Sequence, residues 1–223
     1  MMPMISKRIL FRSLAGIVLV GIAAAAVFVS SDARAKNSSQ RLAIGGKVKR
    51  LSGDHLKLKD GRYVEFAGIR LPYENEPYAE ASRRVLSKWL DDEGVRLQFD
   101  EQREHRMDRI LAYVYANDTF INERLARDGL AFVKLRTGNR KFADSLLEAQ
   151  SAAQTEAKGI WSIVTPTCNG EFIGDEAGAT FHRPTCEKLP KGAALVELHG
   201  TISAFSKGMA PCGNCRPLDN GAT

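Results

Sequence analysis

Five short strand-like runs, interrupted by one helical segment, constrain the fold of this chain more than any other feature of its sequence. The first three runs occupy residues 47–51, 55–58 and 63–69. The dipeptide Asp60-Gly61 separates the second run from the third and favours a tight hairpin. This part of the chain therefore predicts three consecutive strands of one sheet.

A helical segment follows the third run. Pro77 opens it, and its apolar residues recur at spacings of three and four, which places one apolar stripe against a core. The stripe consists of Tyr78, Ala81, Val85, Leu86, Trp89 and Leu90. Gly94 ends the segment.

The remaining pattern supplies two more strands and two more helices. Residues 95–99 and 110–115 are strand-like, and Asn117-Asp118 turns the chain after them. Later segments are a short helix at 122–128 before Gly129, a strand-like run at 130–135 and a helix at 141–158 before Gly159. A helix after the third of five strands is what an OB-fold requires, because barrel closure removes exposed sheet edges. We predict an α+β fold, mainly β, with a five-stranded OB-fold barrel and about three helices.

The first 35 residues are typical of an export signal. Basic residues precede an apolar stretch at 14–29, and Ala33-Arg34-Ala35 forms a small-x-small cleavage site. We predict cleavage after Ala35, a periplasmic or secreted protein and no stable membrane association. An uncleaved membrane anchor is the alternative, because the apolar stretch is near the lower length limit for a bilayer span. A cleaved chain has 28 basic and 25 acidic residues, and this net charge of +3 is weak evidence for a polyanion partner.

The cysteines mark a second part of the chain. All four of them, Cys168, Cys186, Cys212 and Cys215, lie in its last quarter. We predict a signal peptide at 1–35, a linker at 36–45, the barrel domain at 46–161 and a small cysteine-containing module at 162–223. The module has few large apolar residues, so it is expected to need a metal or disulfides to fold.

Four residues of this module have the spacing of a zinc site. His182 precedes Cys186 by four positions, and Cys212 precedes Cys215 by three, which gives a two-plus-two set of soft or borderline donors. The pattern predicts a structural, zinc-knuckle-like module. Disulfides, Cys168 with Cys186 or Cys212 with Cys215, are the alternative in an oxidising compartment.

The order of the barrel segments and several local strings resemble the staphylococcal nuclease family over roughly residues 46–161. The shared strings are Ser52-Gly53-Asp54-His55, residues 64–72, residues 108–115, residues 121–123 with 128–131, and Gly159-Ile160-Trp161. The resemblance implies calcium-assisted phosphodiester hydrolysis. In that chemistry two aspartates hold the ion, a glutamate acts as the base, and two arginines take the phosphate charge.

Two of these family roles have matching residues here. Asp54 matches the first aspartate and Arg109 matches a phosphate-binding arginine. Glu74 lies one residue beyond the position of the glutamate base, and a one-residue shift of its loop would let it act as a base. Asp54, Glu74 and Arg109 are therefore the candidate catalytic remnant.

Three family roles are lost or displaced. Glu65 stands at the position of the other arginine, Arg70 at that of the second aspartate, and Tyr73 at that of the glutamate. An arginine in place of a carboxylate ligand reverses the local charge, so we expect no calcium in the manner of the family. A salt bridge of Glu65 or Arg70 with each other, or with Asp54 or Arg109, is the hypothesis for the altered site.

Cations near the barrel are candidates for contact with a nucleic acid. Arg136, Arg140 and Lys141 flank Gly138 in the turn before the last helix, and Arg109 adds a fourth cation. A solvated loop is the alternative interpretation of the three turn residues.

The C-terminal module resembles the Ada-type zinc-binding domain of alkylation-repair proteins. Pro211-Cys212 and Cys215-Arg216-Pro217 are in register with that domain, whereas its methyl-accepting cysteine is replaced by His182. Imidazole is not the methyl-accepting thiolate, so repair of methylated phosphates is not implied. A structural or nucleic-acid-docking role is expected instead.

The leading hypothesis is an exported protein of the nuclease family that binds DNA or RNA with weak or no hydrolysis. An active metal-dependent phosphodiesterase with a non-standard site is one alternative. A structural or protein-interaction module of the envelope, whose protein partner the sequence does not identify, is the other, because a fold does not fix a function.

Overall fold

The computed structural model of the protein describes residues 43–52, 55–90, 94–105, 109–164, 169–192 and 194–219. All of these residues belong to one compact unit that spans Leu42–Thr223. The predicted signal peptide, most of the predicted linker, Asp54 and Cys168 lie outside the described residues. Among the described residues, no helix has the length and apolar character needed to cross a membrane.

The strands of the first part of the chain have the following bounds. In chain order, β1 to β9 are Ala43–Ser52, His55–Leu58, Tyr63–Phe66, Ile69–Arg70, Gly94–Gln98, Glu104–His105, Arg109–Ala116, Thr119–Phe120 and Phe132–Val133. β1 begins before the predicted domain start, because Ala43 and Ile44 already pair with Leu97 and Arg96 of β5. The predicted run at 130–135 contains only the two residues of β9, which pair with β4.

Five of these strands pair in an order that returns to its starting point. β1 pairs with β2 and with β5, β2 pairs with β3, and both β3 and β5 pair with β7. The contact of β3 with β7 is parallel, and the other four contacts are antiparallel. The result is a mixed, mainly β fold that is consistent with the predicted OB-like architecture.

Strand periodicity explains which side chains fill the sheet. In β2 and β3, the apolar residues Leu56, Leu58, Val64 and Phe66 are buried, while the residues between them are half-buried. Successive side chains of a strand point to opposite faces, so one face supplies the core and the other faces outward. Glu65 therefore lies on the outward face of β3.

Both predicted turns have the backbone geometry that their residues favour. Gly61 has a φ of 94°, and Leu58 N donates to Arg62 O across the hairpin at 2.9 Å. Asn117 and Asp118 have φ values of 46° and 61°, the left-handed pair that a two-residue hairpin between β7 and β8 requires.

Three helices accompany these strands in the described part of the chain. They are α1 (Ala79–Trp89), α2 (Ile121–Arg127) and α3 (Ala143–Thr155), and a short 3₁₀-helix occupies Gly159–Ser162. α3 ends three residues before its predicted limit, because Ala157 adopts a left-handed φ of 49°. Asn122 fastens α2 to the sheet: its Oδ1 accepts from Val114 N at 2.8 Å and its Nδ2 donates to Ala67 O at 2.7 Å.

The C-terminal part contains a second sheet. Its elements are β10 (Glu171–Asp175), β11 (Thr180–His182), β12 (Leu195–His199), α4 (Thr201–Ser206) and β13 (Ala210–Pro211). The strands lie in the order β12-β10-β11-β13. β11 and β13 are parallel, and the other two pairs are antiparallel.

The C-terminal sheet shares a hydrophobic cluster with the barrel part of the chain. Phe132, Ala153, Ile160 and Trp161 come from the barrel part, and the C-terminal members are Phe172, Phe181, Leu198, Ala204, Phe205, Met209 and Ala210. A backbone hydrogen bond from Leu135 N to Gly208 O, 2.8 Å long, joins the same two parts. The predicted boundary at residue 161 stays a prediction, but the residues on its two sides bury apolar surface together.

Candidate functional site

Four metal-binding side chains come together at one end of the C-terminal sheet. The ligand atoms of His182, Cys186, Cys212 and Cys215 all lie within 4.8 Å of one another. The first three side chains are buried, and Cys215 is half-buried. This is the full set that the sequence spacing predicts.

The parallel pairing of β11 and β13 brings the two halves of the set together. Phe181 is opposite Pro211, so the next residues, His182 and Cys212, leave the sheet side by side. Cys212 N donates to Phe181 O at 2.9 Å and fixes this register. The turns that follow, with Cys186 after one strand and Cys215 after the other, complete the cluster.

The cluster has the donor types of a tetrahedral site, and its ligand atoms are close enough together to hold a metal ion. Zinc bonds of about 2.0 Å to nitrogen and about 2.3 Å to sulfur would separate neighbouring ligand atoms by roughly 3.3 to 3.8 Å. His182 Nδ1 and Cys186 Sγ lie 3.4 Å apart. The four side chains are therefore placed to hold a metal ion.

The thiols of the described cysteines are free, and their environments differ. Burial raises the pKa of Cys212, but hydrogen bonds from His182 and from the backbone N–H groups of Cys215 and Asn214 outweigh it and lower that pKa to about 6. Burial raises the pKa of Cys215 to about 12, although the backbone N–H of Arg183 opposes this shift. One thiol of the cluster is thus prepared to ionise, as a metal ligand must.

Arg183 supports the second turn of the cluster. Its backbone N–H donates to Cys215 Sγ at 3.3 Å, and its Nε donates to Cys215 O at 3.1 Å. Its Nη2 donates to Arg216 O at 3.2 Å and to Asp219 O at 2.8 Å. One guanidinium therefore fixes three carbonyl groups around the metal-binding turn, which orients the ligands from outside.

A buried ion pair occupies the altered part of the barrel site. The Arg70 side chain is 4% exposed and that of Glu76 10%, and Arg70 Nη1 lies 2.6 Å from Glu76 Oε2. Arg70 Nη2 donates to Glu76 Oε1 at 3.2 Å, so the pair is bidentate. The guanidinium also lies between the rings of Tyr73 and Phe132, with its carbon 4.5 and 4.7 Å from their centroids.

Glu65 and Arg70 do not pair with each other, so this one of the salt bridges suggested for the altered site is wrong. Arg70 forms its ion pair with Glu76, which follows it by six residues in the loop after β4. Glu65 pairs with Arg136 at 3.2 Å. Glu65 and Arg70 lie on different strands, and each is closer to a partner from a loop. Glu76 belongs to no recognised motif, so the sequence does not indicate that it pairs with Arg70.

The other predicted barrel residues are more scattered. Glu74 is exposed in the turn 73–76, and Arg109 is half-buried at the start of β7, opposite Tyr63 of β3. The exposed Arg140 donates from Nη1 to Leu135 O at 3.3 Å, and Lys141 N donates to Asp100 Oδ2 at 2.8 Å. The structure thus places Arg136, Arg140 and Lys141 together in one turn, while Asp54 lies outside the described residues.

Lys134 is a further cation of this region that motif analysis does not identify. With Glu65, Arg136 and Asn139 it lines a small cavity beside the turn 136–142. Burial, followed by repulsion from Arg136 and Arg70, lowers the pKa of Lys134 to about 8. No ion pair of Lys134 is found among the described residues.

The Lys134→Met variant is expected to have a pH-dependent stability difference from the wild type. Below about pH 8 the wild-type ammonium is charged in both states and its burial costs stability. As the pH rises from about 8 to about 10, the folded protein loses this proton before the unfolded chain does, so the wild type gains stability. The advantage of Lys134→Met at about pH 7 should shrink by about 2 to 3 kcal/mol at about pH 10.

Urea unfolding at both pH values measures this difference. Lys88, which is exposed on α1, provides the matched control, since Lys88→Met should show no such change with pH. A constant difference between Lys134→Met and the wild type would contradict the lowered pKa.

The barrel sequence is similar to that of known nucleases. Residues 59–163 match the family described as staphylococcal nuclease homologue. The chain is 33% identical to the thermonuclease of Staphylococcus intermedius over 124 residues, which are 51% of this chain and 74% of that protein. It is 37% identical to the thermonuclease of Staphylococcus hyicus over 87 residues, 39% of this chain and 52% of that protein, and so spans about half the length of this relative. The endonuclease YncB of Bacillus subtilis (strain 168) is 29% identical over 101 residues, 44% of this chain and 48% of that protein. With its OB-like fold and this similarity, the chain belongs to the staphylococcal nuclease homologue family.

Proposed function

We propose that this protein binds nucleic acid and that its phosphodiester hydrolysis is weak or lost. The observation that carries the proposal is the buried ion pair of Arg70 with Glu76. By the family resemblance, Arg70 stands where a carboxylate ligand of calcium is expected. A buried guanidinium at this position repels a divalent cation, and its own partner is already engaged.

Calcium does not fit the described part of this site. A hard cation needs several oxygen ligands, and the position of the second aspartate offers a cation instead. Glu65, at the position of a phosphate-binding arginine, is held by Arg136 and would repel a phosphate. Two of the family roles are thus reversed in charge, and no hydrolytic step is assigned to calcium here.

The proposed binding surface is the turn 136–142 together with Arg109. Arg136, Arg140 and Lys141 lie in this turn, and Lys134, the residue directly after β9, lines the small cavity beside it. Such cations bind phosphates without reading the base sequence, so they suit a polyanion of either DNA or RNA type. The names of the relatives, thermonuclease and endonuclease, support nucleic acid as the partner class.

The salt dependence of binding to single-stranded DNA tests this surface. The Arg140→Ala, Lys141→Ala double variant removes two exposed cations of the turn, so the slope of log affinity against log salt should fall in magnitude by about 1.4. Fluorescence anisotropy with a labelled oligonucleotide measures this slope. Lys88→Ala, which removes an exposed cation from α1, is the control and should keep the wild-type slope.

The same preparations distinguish the alternatives. With calcium, with zinc and with chelator, we expect no cleavage of the oligonucleotide by the wild type. Cleavage that needs a metal and is lost in Arg109→Ala would establish the active phosphodiesterase with Asp54, Glu74 and Arg109 as its residues. Binding that is absent at low salt would favour the envelope protein-interaction role instead.

We also propose that the C-terminal cluster holds a structural zinc ion. Three thiols and one imidazole are the ligands that zinc takes in tetrahedral structural sites, and four protein ligands leave no open position for a substrate. The buried positions of His182, Cys186 and Cys212 support this role. His182 in the set also supports the view that methyl transfer is not the task of this module.

Metal analysis of the purified chain should find one zinc ion for each protein molecule. Cys212→Ser should lose the zinc, because a serine hydroxyl is a poor replacement for a thiolate. Cys168→Ser is the matched control, since the predicted set of four ligands does not include Cys168. Free zinc at about 100 times its dissociation constant should stabilise the wild type by about 2.7 kcal/mol, and the lack of this effect in the wild type would contradict the site.

From the sequence alone we propose that the protein is exported and cleaved after Ala35. A signal peptide with a small-x-small site supports this location. The intact mass of the protein from the periplasm or culture medium should correspond to a chain that begins at Lys36. A full-length mass in the membrane fraction would instead support an anchored protein.

A further inference from the structure

The metal-binding turn 212–215 touches the loop that follows β4. A methyl group at the Cβ position of Gly213 would lie only 2.3 Å from Cδ2 and Cε2 of Tyr73. Real atoms do not approach so closely, so the absence of a side chain at Gly213 lets the tyrosine ring rest on the turn. Two ligands of the cluster, Cys212 and Cys215, flank this contact.

Tyr73 also touches the buried ion pair of the barrel. Its ring covers the guanidinium of Arg70 at 4.5 Å, and its backbone N donates to Glu76 Oε2 at 2.8 Å. Glu76 is the carboxylate that holds Arg70. Tyr73 therefore connects the backbone of the metal-binding turn with the only salt bridge that Arg70 makes within the described residues.

The loop 71–77 is held on the barrel side by the pair of Glu76 with Arg70 and by hydrogen bonds of Arg70 to Leu71 O and of Glu76 N to Tyr73 O. Leu71 and Pro72 are buried at its start, whereas Tyr73, Glu74 and Asn75 are exposed and form the turn at its tip. Tyr73 itself is 37% exposed, so part of its side chain remains in solvent. The Gly213 backbone is thus a main support of the loop tip from the C-terminal part.

We propose that occupancy of the metal site sets the conformation of loop 71–77 through Tyr73, which acts as a positioning residue. The inference rests on the proposed zinc site. A metal ion fixes Cys212 and Cys215, and with them the backbone of Gly213 on which the ring lies. Without the ion Cys212 and Cys215 are no longer restrained, and the Tyr73 ring loses a rigid backbone against which to pack.

Through this contact the C-terminal module would influence a loop beside the candidate site of the barrel. Glu74, the candidate base, lies next to Tyr73, and Arg70 lies beneath the ring. Because linkage is reciprocal, a ring that stabilises the metal-bound turn must also strengthen metal binding. Zinc affinity and the order of loop 71–77 therefore report on the same contact.

Hydrogen exchange of the full chain, followed by mass spectrometry, tests the connection from the side of the loop. Zinc should slow exchange of the amides at 71–77 relative to the chelated protein. The protection there should exceed that at 55–66, which belongs to the strands β2 and β3. In Tyr73→Ala the zinc-dependent protection of 71–77 should disappear.

Zinc affinity, measured by competition with a chromophoric chelator, tests the connection from the side of the metal. The dissociation constant of zinc should be at least about fivefold higher for Tyr73→Ala than for the wild type. Tyr73→Phe keeps the ring and should retain both the affinity and the protection of the loop. This conservative variant separates the ring contact from any effect of the hydroxyl.

The outcomes distinguish this inference from the zinc proposal. One bound zinc ion with unchanged exchange at 71–77, or Tyr73→Ala with wild-type zinc affinity, would overturn the connection and leave the zinc site intact. No bound zinc in the wild type would overturn both.

Discussion

The buried guanidinium of Arg70 lies where the barrel and the C-terminal strands meet. Arg70 is the last residue of β4 and pairs there with Phe132 of β9. The ring of Tyr73 packs against its guanidinium, which donates hydrogen bonds to both carboxylate oxygens of Glu76. A charge in such a place is tolerated only because its partner is buried with it, and removal of one partner of a buried pair typically costs about 3 to 5 kcal/mol. Arg70, which by the family resemblance stands at the position of a metal-binding aspartate, therefore contributes to the packing of the fold instead.

Phe132 extends this framework into the second core. Its ring lies 5.6 Å from that of Trp161 and is stacked on that of Phe205 at 6.4 Å, and Phe205 meets Phe181 at 5.5 Å. The C-terminal strands alone contain too few large apolar residues for a stable core. Because barrel residues complete that core, the packing of the module does not depend on the cysteine cluster alone.

Features that depend on neighbouring residues could be predicted from the sequence, and features that depend on distant ones could not. The alternation of Leu56, Leu58, Val64 and Phe66 predicts β2 and β3, and Asn117-Asp118 predicts the turn after β7. Both rules depend only on residues a few positions apart. The metal cluster is also predictable, since two short spacings restrict it. The pair of Arg70 with Glu76 is not, because the path of a loop decides it. Motifs likewise give no sign that residues on both sides of position 161 share a core.

The altered barrel site illustrates how a fold can keep its stability while its chemistry changes. A site that binds a metal and a phosphate must hold like charges close together, which destabilises the folded protein until the ligand arrives. Here Arg70 with Glu76 and Glu65 with Arg136 satisfy those charges within the chain. These two pairs balance the altered charges without a bound ion. Residues at such a site can therefore change their charge while the fold stays stable, because a fold does not fix a function.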